Sequence, residues 1–446
     1  MNNGHKVQIG FVERLMQTRN LLVAMVLLQV LWLLFREWPS GSVPHWGQLP
    51  LFLAYTVVVG VAVGCMPAGW VSRIRQIKEH LVQNEKLLIL TLCVVVLVAG
   101  VVYADDLRAQ GDEEKSFEAS RIIAVEGVAS FFTSYARIPW LGFQHPPLAP
   151  LLYGFTMRIF GVKLFVMRFS ALIFGLAVVL TTYFLGRELY DRHTGSLAAF
   201  LLLSFPLFLR VGTLANNDMP VTFCFSLALL LTLYLLRTPK YWLSAVIGLV
   251  IGAGLLSKYT MVLIYLMLLS CFAVNDRFRR VKIHLGIVGL VSVGVLAIWL
   301  VYAYHIGVLA IQNSQIVSYA GLGTAAEGGL KFISRWRTQF RLMTLLKRLP
   351  YSLGVYDIPM LFLGGLYLLR RRSWPDLFVL LWIVTVFLPI ILTLPDKRYF
   401  VPAFPAVAIA IAQGLQRVPE VKERAVILAL LYCGEALYLS FLYYAL

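Results

Sequence analysis

Charged residues are scarce in this chain of 446 amino acids, and their scarcity excludes an ordinary soluble protein. Only 14% of the residues are charged and 60% are hydrophobic, whereas soluble domains carry about a quarter charged residues. Long apolar runs at 21–35, 87–104, 283–302 and 377–394 reach or approach the roughly 20 residues that cross a hydrocarbon core. The composition therefore predicts a polytopic integral membrane protein.

Cysteine and the common soluble-enzyme motifs are also sparse or missing. The five cysteines mostly lie inside apolar runs and form no Cys-X-X-Cys pair, so we interpret them as small core residues rather than metal ligands or disulfides. The sequence contains no P-loop, HExxH or GxSxG motif and no GxGxxG after a strand. It leaves no room for a Rossmann domain, so a nucleotide sugar is not an expected ligand. The first apolar run lacks a small-residue cleavage site, and we expect no cleavable secretory signal.

Lysine and arginine are distributed asymmetrically, which predicts the membrane topology. The net charge of +17 would suggest a nucleic-acid partner for a soluble protein, but here the basic residues concentrate between apolar runs. With a cytoplasmic N-terminus, every short inside loop is basic, as the positive-inside rule requires. We predict about 13 spans, at 21–35, 49–66, 87–104, 167–186, 195–211, 220–236, 242–256, 260–274, 283–302, 354–369, 376–394, 399–415 and 425–445.

Two long segments are predicted on the outer face. Residues 105–166 begin with an acidic cluster and continue as apolar, proline-containing stretches that favour helices lying in the membrane interface. Residues 303–353 contain alternating basic and apolar positions, typical of a basic amphipathic helix on the membrane surface.

Polar residues at outer helix ends are the best site candidates in so apolar a chain. Asp112 and Glu113 follow the third span; a carboxylate there can serve as a general base, and an ordinary solvated acidic loop is the alternative. Asn217 and Asp218 precede the next candidate helix, so Asp218 is either a helix-start residue or a second carboxylate that orients the acceptor or binds a divalent cation. His145 precedes two prolines that keep its backbone extended, and it is either a helix cap or a site residue.

Basic residues mark two further outer turns. Lys258, followed by Tyr259, lies between two apolar runs and must reach the headgroup region, where a phosphate is a natural partner; a snorkelling anchor is the alternative. Lys397, Arg398 and Tyr399 form a tight turn in which the arginine fork suits phosphate oxygens. The alternative is an exposed surface turn of little energetic weight.

At these residues the sequence resembles the membrane glycosyltransferases of the GT-C superfamily. More narrowly, it is similar to the group that contains protein O-mannosyltransferases and lipid A aminoarabinose transferases. The resemblance covers residues 105–415 and depends on the order of motifs that are individually unspecific. These are Gly111-Asp112-Glu113, His145–Leu148, Met167–Ala171, Tyr183–Arg187, Asn217–Pro220, Gly254–Thr260 and Arg398–Ala403.

The resemblance implies an all-α GT-C fold with about 13 transmembrane helices and interfacial helices in the first large outer loop. It implies inverting transfer of a sugar from a polyprenyl-phosphate donor to a hydroxyl or phosphate of a lipid, glycan or protein. Asp112 matches the catalytic acidic residue, with Glu113 beside it, and Asp218 matches the second outer carboxylate. Lys258 and Arg398 match the positions expected at the donor phosphate.

The remaining expectations follow from the same resemblance. Residues 1–86 are expected to be an N-terminal two-helix extension and residues 87–446 the GT-C catalytic domain, in a bacterial inner membrane with the site facing the periplasm or exterior. No particular cofactor is implied, although a divalent cation is possible at Asp112 and Asp218. A transporter or lipid flippase is the alternative, but the sequence lacks the two related halves expected of a transporter. The additional candidates are Lys397 at the donor phosphate, His145, Tyr259, Tyr399 and Asn217 in substrate binding, and Arg168 as an anchor or phosphate ligand.

Overall fold

A computed structural model describes residues 68–104, 111–138, 141, 145–319, 352–353, 357–393 and 397–416. Within these ranges all regular structure is helical and no strand is present, which confirms the prediction of an all-α polytopic protein. The predicted spans at 21–35, 49–66 and 425–445 lie outside the described residues. So do residues 320–351 of the predicted basic outer segment and most of the N-terminal extension.

The first helices of the described chain lie on both sides of the acidic motif at Asp112 along the sequence. They are α1 (Ala68–Gln83), α2 (Glu85–Ala104), α3 (Asp112–Val125), α4 (Val128–Ser134), a 3-10 turn (Tyr135–Arg137), α5 (Leu148–Phe160), α6 (Leu164–Leu189), α7 (Arg192–Ser204), α8 (Pro206–Thr213) and α9 (Asp218–Arg237).

The remaining described helices complete the bundle and end in a second long apolar segment. They are α10 (Tyr241–Ser257), a 3-10 turn (Tyr259–Val262), α11 (Leu263–Val274), α12 (Asp276–Arg280), α13 (Lys282–His305), α14 (Val308–Tyr319), α15 (Asp357–Arg371), α16 (Trp374–Thr393), a 3-10 turn (Lys397–Ala403) and α17 (Phe404–Gln416).

Five segments of the described chain are long and apolar enough to cross a membrane: Leu164–Leu189, Asp218–Arg237, Lys282–His305, Trp374–Ile391 and Lys397–Gln416. Two bent helix pairs raise this number to seven, with a break of 106° between α1 and α2 and of 75° between α7 and α8. Shorter apolar helices occupy the spans predicted at 242–256 and 260–274, and α15 occupies the one at 354–369. The total number of spans stays a prediction.

The span predicted at 195–211 is broken rather than continuous. Phe205 has extended backbone angles, φ −78° and ψ 113°, and Pro206 begins α8. Proline has no N–H to continue the helical hydrogen bonds and disfavours helical angles in the residue before it. The chain therefore turns at Phe205, and the hydroxyl of Ser204 donates to a carboxylate oxygen of Asp357 at the start of α15 (3.2 Å).

Helix α6 lies at the centre of the bundle, where it packs against α2, α5, α7 and α9. Its contact with α7 is close because glycine stands on both sides. A Cβ atom added to Gly186 would lie 2.7 Å from the Cα of Gly195, inside any real carbon–carbon contact. This close packing fixes α7 and the turn after it against α6.

Ion pairs hold both ends of α6. Arg168 pairs with Glu113 at one end, and Arg187 pairs with Glu85 at the other. A helical rise of about 1.5 Å per residue puts the two arginines about 28 Å apart along the axis. That separation is close to the thickness of a bilayer's hydrocarbon core, about 30 Å. The two ends of α6 are therefore far enough apart to reach opposite surfaces of a bilayer.

Candidate functional site

Two carboxylate–cation pairs lie at the Glu113 end of the bundle. Asp112 is the first residue of α3, and its Oδ2 accepts a hydrogen bond of 2.7 Å from Nη1 of Arg398 in the third 3-10 turn. Asp218 is the first residue of α9, and its Oδ1 accepts a hydrogen bond from Nζ of Lys258. Four of the side chains that the sequence analysis selected are thus joined in two pairs.

Asp112 is positioned by a glycine with a left-handed backbone. Gly111 has φ +58° and ψ −117°, a conformation that side-chain-bearing residues rarely adopt, and it starts α3 at Asp112. Burial raises the pKa of the Asp112 carboxyl. Arg398, His145 and Lys258 together lower it by more than burial raises it, so its pKa lies below the ordinary value of 3.8. Asp112 is therefore ionised at neutral pH.

The Lys258–Asp218 pair is buried, and an aromatic ring packs against its lysine. Lys258 is 7% and Asp218 3% exposed, and Nζ of Lys258 lies 4.2 Å from the ring centroid of Tyr399. Lys258 follows the last residue of α10 with an extended backbone, which directs it away from the helix axis. Because Tyr399 adjoins Arg398, the two cations lie in neighbouring parts of one site.

His145 belongs to the same electrostatic environment. Burial lowers the pKa of its imidazole, Lys258 and Arg398 lower it further and Asp112 raises it, with a result of about 3. The imidazole is therefore neutral at pH 7. Its backbone carbonyl accepts hydrogen bonds from the hydroxyl of Tyr135 (2.6 Å) and from Nε2 of Gln312 (3.2 Å), which fix the turn before α5.

Tyr259 is tied into a neighbouring chain of hydrogen bonds. Its hydroxyl accepts from Nε1 of Trp299 (2.9 Å) and donates to Oε1 of Gln312 (2.7 Å). Gln312 in turn holds the carbonyl of His145. The hydroxyl of Tyr259 thus supports the wall of the site, and its predicted role in substrate binding stays a prediction.

Glu113 does not join the two pairs, although it follows Asp112 directly. It is 1% exposed and accepts two hydrogen bonds from Arg168, 2.8 Å from Nε and 2.7 Å from Nη2. Its Oε1 also accepts from the backbone N–H of Ala215 (3.1 Å). Glu113 therefore links α3, α6 and the turn before α9. The partnership of Arg168 with Glu113 escaped the sequence analysis, although charges at helix ends in membranes usually pair with one another.

The turn before α9 contains two buried asparagines. The hydroxyl of Tyr153 donates to the carbonyl of Asn216 (2.7 Å), and Asn217 occupies the position before α9 without capping it. Their side chains are 4% and 2% exposed. Among the described residues, Oδ1 of Asn216 and both polar atoms of the Asn217 amide have no hydrogen-bond partner. Lys397, the remaining candidate, precedes Arg398 and is partly exposed.

The residues expected to hold a divalent cation, if one is used, are engaged with cations of the protein itself. Asp112 pairs with Arg398 and Asp218 with Lys258. In the described ranges no three His, Cys, Asp or Glu side chains are grouped as metal ligands. Metal sites for hard cations use several oxygen ligands, and the divalent cation expected at these two aspartates stays a prediction.

Comparisons with known proteins confirm the resemblance to the GT-C superfamily and the GT-C fold. The family described as dolichyl-phosphate-mannose-protein mannosyltransferase matches residues 144–325. The structure of ArnT from Cupriavidus metallidurans in the apo state is 19% identical, with a TM-score of 0.58 over 76% of this chain and 62% of that one. The structure of the same ArnT bound to undecaprenyl phosphate is 17% identical, with a TM-score of 0.56 and the same coverage of both chains.

A third similar structure is the Archaeoglobus fulgidus oligosaccharyltransferase in complex with Zn and sulfate. It is 17% identical, with a TM-score of 0.52 over 79% of this chain and 52% of that one. This chain thus spans less than two thirds of the length of each of these structures. No curated protein sequence matches it.

Proposed function

We propose that this chain, which has the GT-C fold, is an inverting glycosyltransferase that takes its sugar from a polyprenyl-phosphate carrier. The observation that carries the proposal is the juxtaposition of two carboxylate–cation pairs, Asp112–Arg398 and Asp218–Lys258, at one end of the helical bundle. The similar ArnT structure is described as bound to undecaprenyl phosphate, and the matching family is named for dolichyl-phosphate-mannose. Both names support a lipid-phosphate donor.

Lys258 and Arg398 are the proposed ligands of the donor phosphate. A phosphate brings negative charge to two cations that pair with the carboxylates of Asp112 and Asp218 in the protein itself. Lys258 is almost fully buried, and a charge-assisted contact in such a site contributes on the order of 1.5–3 kcal/mol. The same contacts stabilise the charge that develops on the phosphate as the glycosidic bond breaks.

Asp112 is the proposed general base. The acceptor oxygen attacks the anomeric carbon, its proton passes to Asp112, and the carbon–oxygen bond to the phosphate breaks with its electron pair leaving on the polyprenyl phosphate. One displacement of this kind inverts the anomeric centre and needs no covalent nucleophile. When the donor phosphate draws the guanidinium of Arg398 toward itself, Asp112 loses its strongest neutralising partner and becomes more basic.

Glu113 is proposed as a positioning residue. Its hydrogen bonds with Arg168 and the Ala215 N–H fix the first turn of α3 and the turn before α9 relative to each other. Asp112 and Asp218 begin these two helices, so the distance between the two pairs depends on Glu113. In this arrangement Asp218 holds Lys258 in place until the phosphate arrives, while His145, Tyr259 and Tyr399 line the substrate site.

The site is proposed to face the non-cytoplasmic side, which in a bacterial inner membrane is the periplasm. Single cysteines placed at the exposed positions Lys115 and Lys240, in a background without the native cysteines, test this orientation. An impermeant thiol reagent applied from outside is expected to label the Lys115 position and to spare the Lys240 position. The opposite pattern would reverse the orientation.

The donor proposal is tested with the purified protein in liposomes. Labelled polyprenyl-phosphate sugars and nucleotide sugars are offered separately, each with a mixture of lipid, glycan and protein acceptors. We expect transfer only from the lipid-linked donors, and loss of transfer in Asp112→Asn. Turnover of a nucleotide sugar in membranes without polyprenyl phosphate would refute the donor class. Movement of the lipid-linked sugar across the bilayer without bond cleavage would instead indicate a flippase.

A further inference from the structure

The turn between α8 and α9 holds buried amides that the proposed reaction does not use. Oδ1 of Asn216, and Oδ1 and Nδ2 of Asn217, have no hydrogen-bond partner among the described residues. A buried polar group without a partner is expensive for a fold, and native proteins contain few of them. Because both atoms of the Asn217 amide are unpartnered, the result is the same whichever way the amide is turned.

The backbone around these amides is fixed by hydrogen bonds. The backbone on either side is held by Glu113, which accepts from the Ala215 N–H, and by Tyr153, which donates to the Asn216 carbonyl. Asparagine favours the position before a helix because its side chain usually caps the first turn, yet Asn217 makes no such bond. The turn therefore combines a fixed backbone with buried, unsatisfied side-chain amides at the start of a 20-residue helix.

The position of the turn indicates which ligand would satisfy them. Asn217 is directly followed by Asp218, whose carboxylate binds Lys258, and Lys258 is a proposed ligand of the donor phosphate. The sugar of a lipid-linked donor is attached directly to that phosphate, so a phosphate bound by Lys258 holds the sugar ring nearby. A neutral amide that offers both a donor and an acceptor matches neighbouring hydroxyl groups, each of which donates and accepts.

We propose that the side chains of Asn216 and Asn217 bind hydroxyl groups of the sugar that the donor lipid carries. The inference deepens the proposed function and rests on it. Asn217 contributes a donor and an acceptor, and Oδ1 of Asn216 contributes a further acceptor. The turn thus distinguishes a sugar-bearing lipid from the bare polyprenyl phosphate, which is the product of the reaction.

The experiment compares two lipids that differ only in the sugar. The full-length protein in nanodiscs is titrated with undecaprenyl phosphate and with undecaprenyl phosphate carrying mannose, glucose, galactose or arabinose. We expect the wild type to bind at least one sugar-bearing lipid about tenfold more tightly than the bare lipid, as expected for one or two well-placed hydrogen bonds. Asn217→Leu is expected to lose this difference and to bind the bare lipid as the wild type does.

A deoxy series of the preferred sugar identifies the hydroxyl concerned. One deoxy lipid should bind the wild type about tenfold more weakly and bind Asn217→Leu no differently from the parent lipid, because the variant has already lost the partner of that hydroxyl. Asn217→Ser, which is smaller and polar, provides the same comparison if the leucine variant does not purify.

Thermal unfolding separates a binding role from a structural one. Removal of unsatisfied amide atoms should leave the melting temperature of Asn217→Leu equal to or above that of the wild type without ligand. Asn275→Ala is the matched control: Asn275 also precedes a helix, but its side chain accepts from the Arg277 N–H at 2.7 Å. The control should melt at a lower temperature and keep the full sugar-dependent difference in binding.

The possible failures are distinguishable. A wild type that binds every lipid with one affinity, or an Asn217→Leu variant that weakens bare and sugar-bearing lipids equally, would overturn this inference and leave the phosphate site intact. A lower melting temperature of Asn217→Leu together with an unchanged sugar-dependent difference would assign the asparagine a structural role. A wild type that binds no polyprenyl phosphate would refute the proposed function itself.

Discussion

Asp112 and Glu113 are adjacent carboxylates, and the structure predicts opposite consequences for their neutralisation. The Glu113–Arg168 pair is 2% exposed on both sides, and Glu113→Gln leaves the guanidinium of Arg168 buried beside an amide. Removal of one partner from a buried ion pair costs about 3–5 kcal/mol, because the other charge is left uncompensated. We therefore expect Glu113→Gln to lower the free energy of unfolding by about that amount.

Asp112→Asn removes a charge from a more accessible pair. Its side chain is 31% and that of Arg398 27% exposed, and pairs open to solvent contribute about 0–1 kcal/mol. The variant should fold with nearly wild-type stability. Its rate of transfer should fall roughly 10²–10⁴-fold, the contribution of a general base. Glu113→Gln should retain more activity per folded molecule, because it displaces the base without removing it.

Two measurements on the detergent-purified proteins check this contrast: equilibrium unfolding followed by tryptophan fluorescence, and initial transfer rates normalised to the folded fraction. The double variant Glu113→Gln/Arg168→Met is the control, since removal of both charges should restore much of the stability that Glu113→Gln loses. If Glu113→Gln were as stable as the wild type and less active than Asp112→Asn, the base would be Glu113 and the positioning argument would be wrong.

Three further predictions concern the remaining site residues. Lys258→Met should weaken the binding of undecaprenyl phosphate about tenfold or more, measured by titration, since it removes one charge-assisted contact; unchanged affinity would exclude a phosphate contact. The wild type should lose stability as the pH falls below about 6.5, because His145 then takes up a proton in the unfolded chain but, with a pKa of about 3, stays neutral in the folded protein. In His145→Gln the free energy of unfolding should depend less on pH over this range, and an unchanged pH dependence would contradict the assignment. Tyr259→Phe should lower the free energy of unfolding by about 1–3 kcal/mol, because Trp299 and Gln312 each lose a partner; wild-type stability by thermal unfolding would show that water replaces the hydroxyl.

The all-α membrane architecture was predictable because hydrophobic length and basic loops are properties of the sequence itself. The convergence of Asp112, Asp218, Lys258 and Arg398 was also predictable, since alternating spans put all four at the same surface. Their pairing was not predictable in this way. The residue types predict a catalytic role for the two carboxylates and a phosphate contact for the two cations, and the structure in addition joins each carboxylate to a cation.

Two features, the burial of Glu113 and the break after α7, depend on tertiary packing. Glu113 and Asp112 are indistinguishable as neighbouring acids, and only the rotation of α3 against α6 decides which of them is buried with Arg168. The span at 195–211 has the hydropathy of a continuous helix, but Pro206 turns it by 75°. A proline rule identifies the position of such a break, while its angle depends on packing against α6 and α17.

The ion pairs at the two ends of α6 have a consequence for the surrounding lipid. Helices usually adjust to bilayers of different thickness by tilting, but α6 is attached to α3 through Arg168 and to α2 through Arg187. The distance of about 28 Å between these attachments is set by the length of the helix. In a thicker or thinner bilayer, a tilt of α6 relative to α2 and α3 would pull on Glu113 and, through it, on both pairs of the site. Acyl-chain length is thereby coupled mechanically to the spacing of the charged groups at the surface.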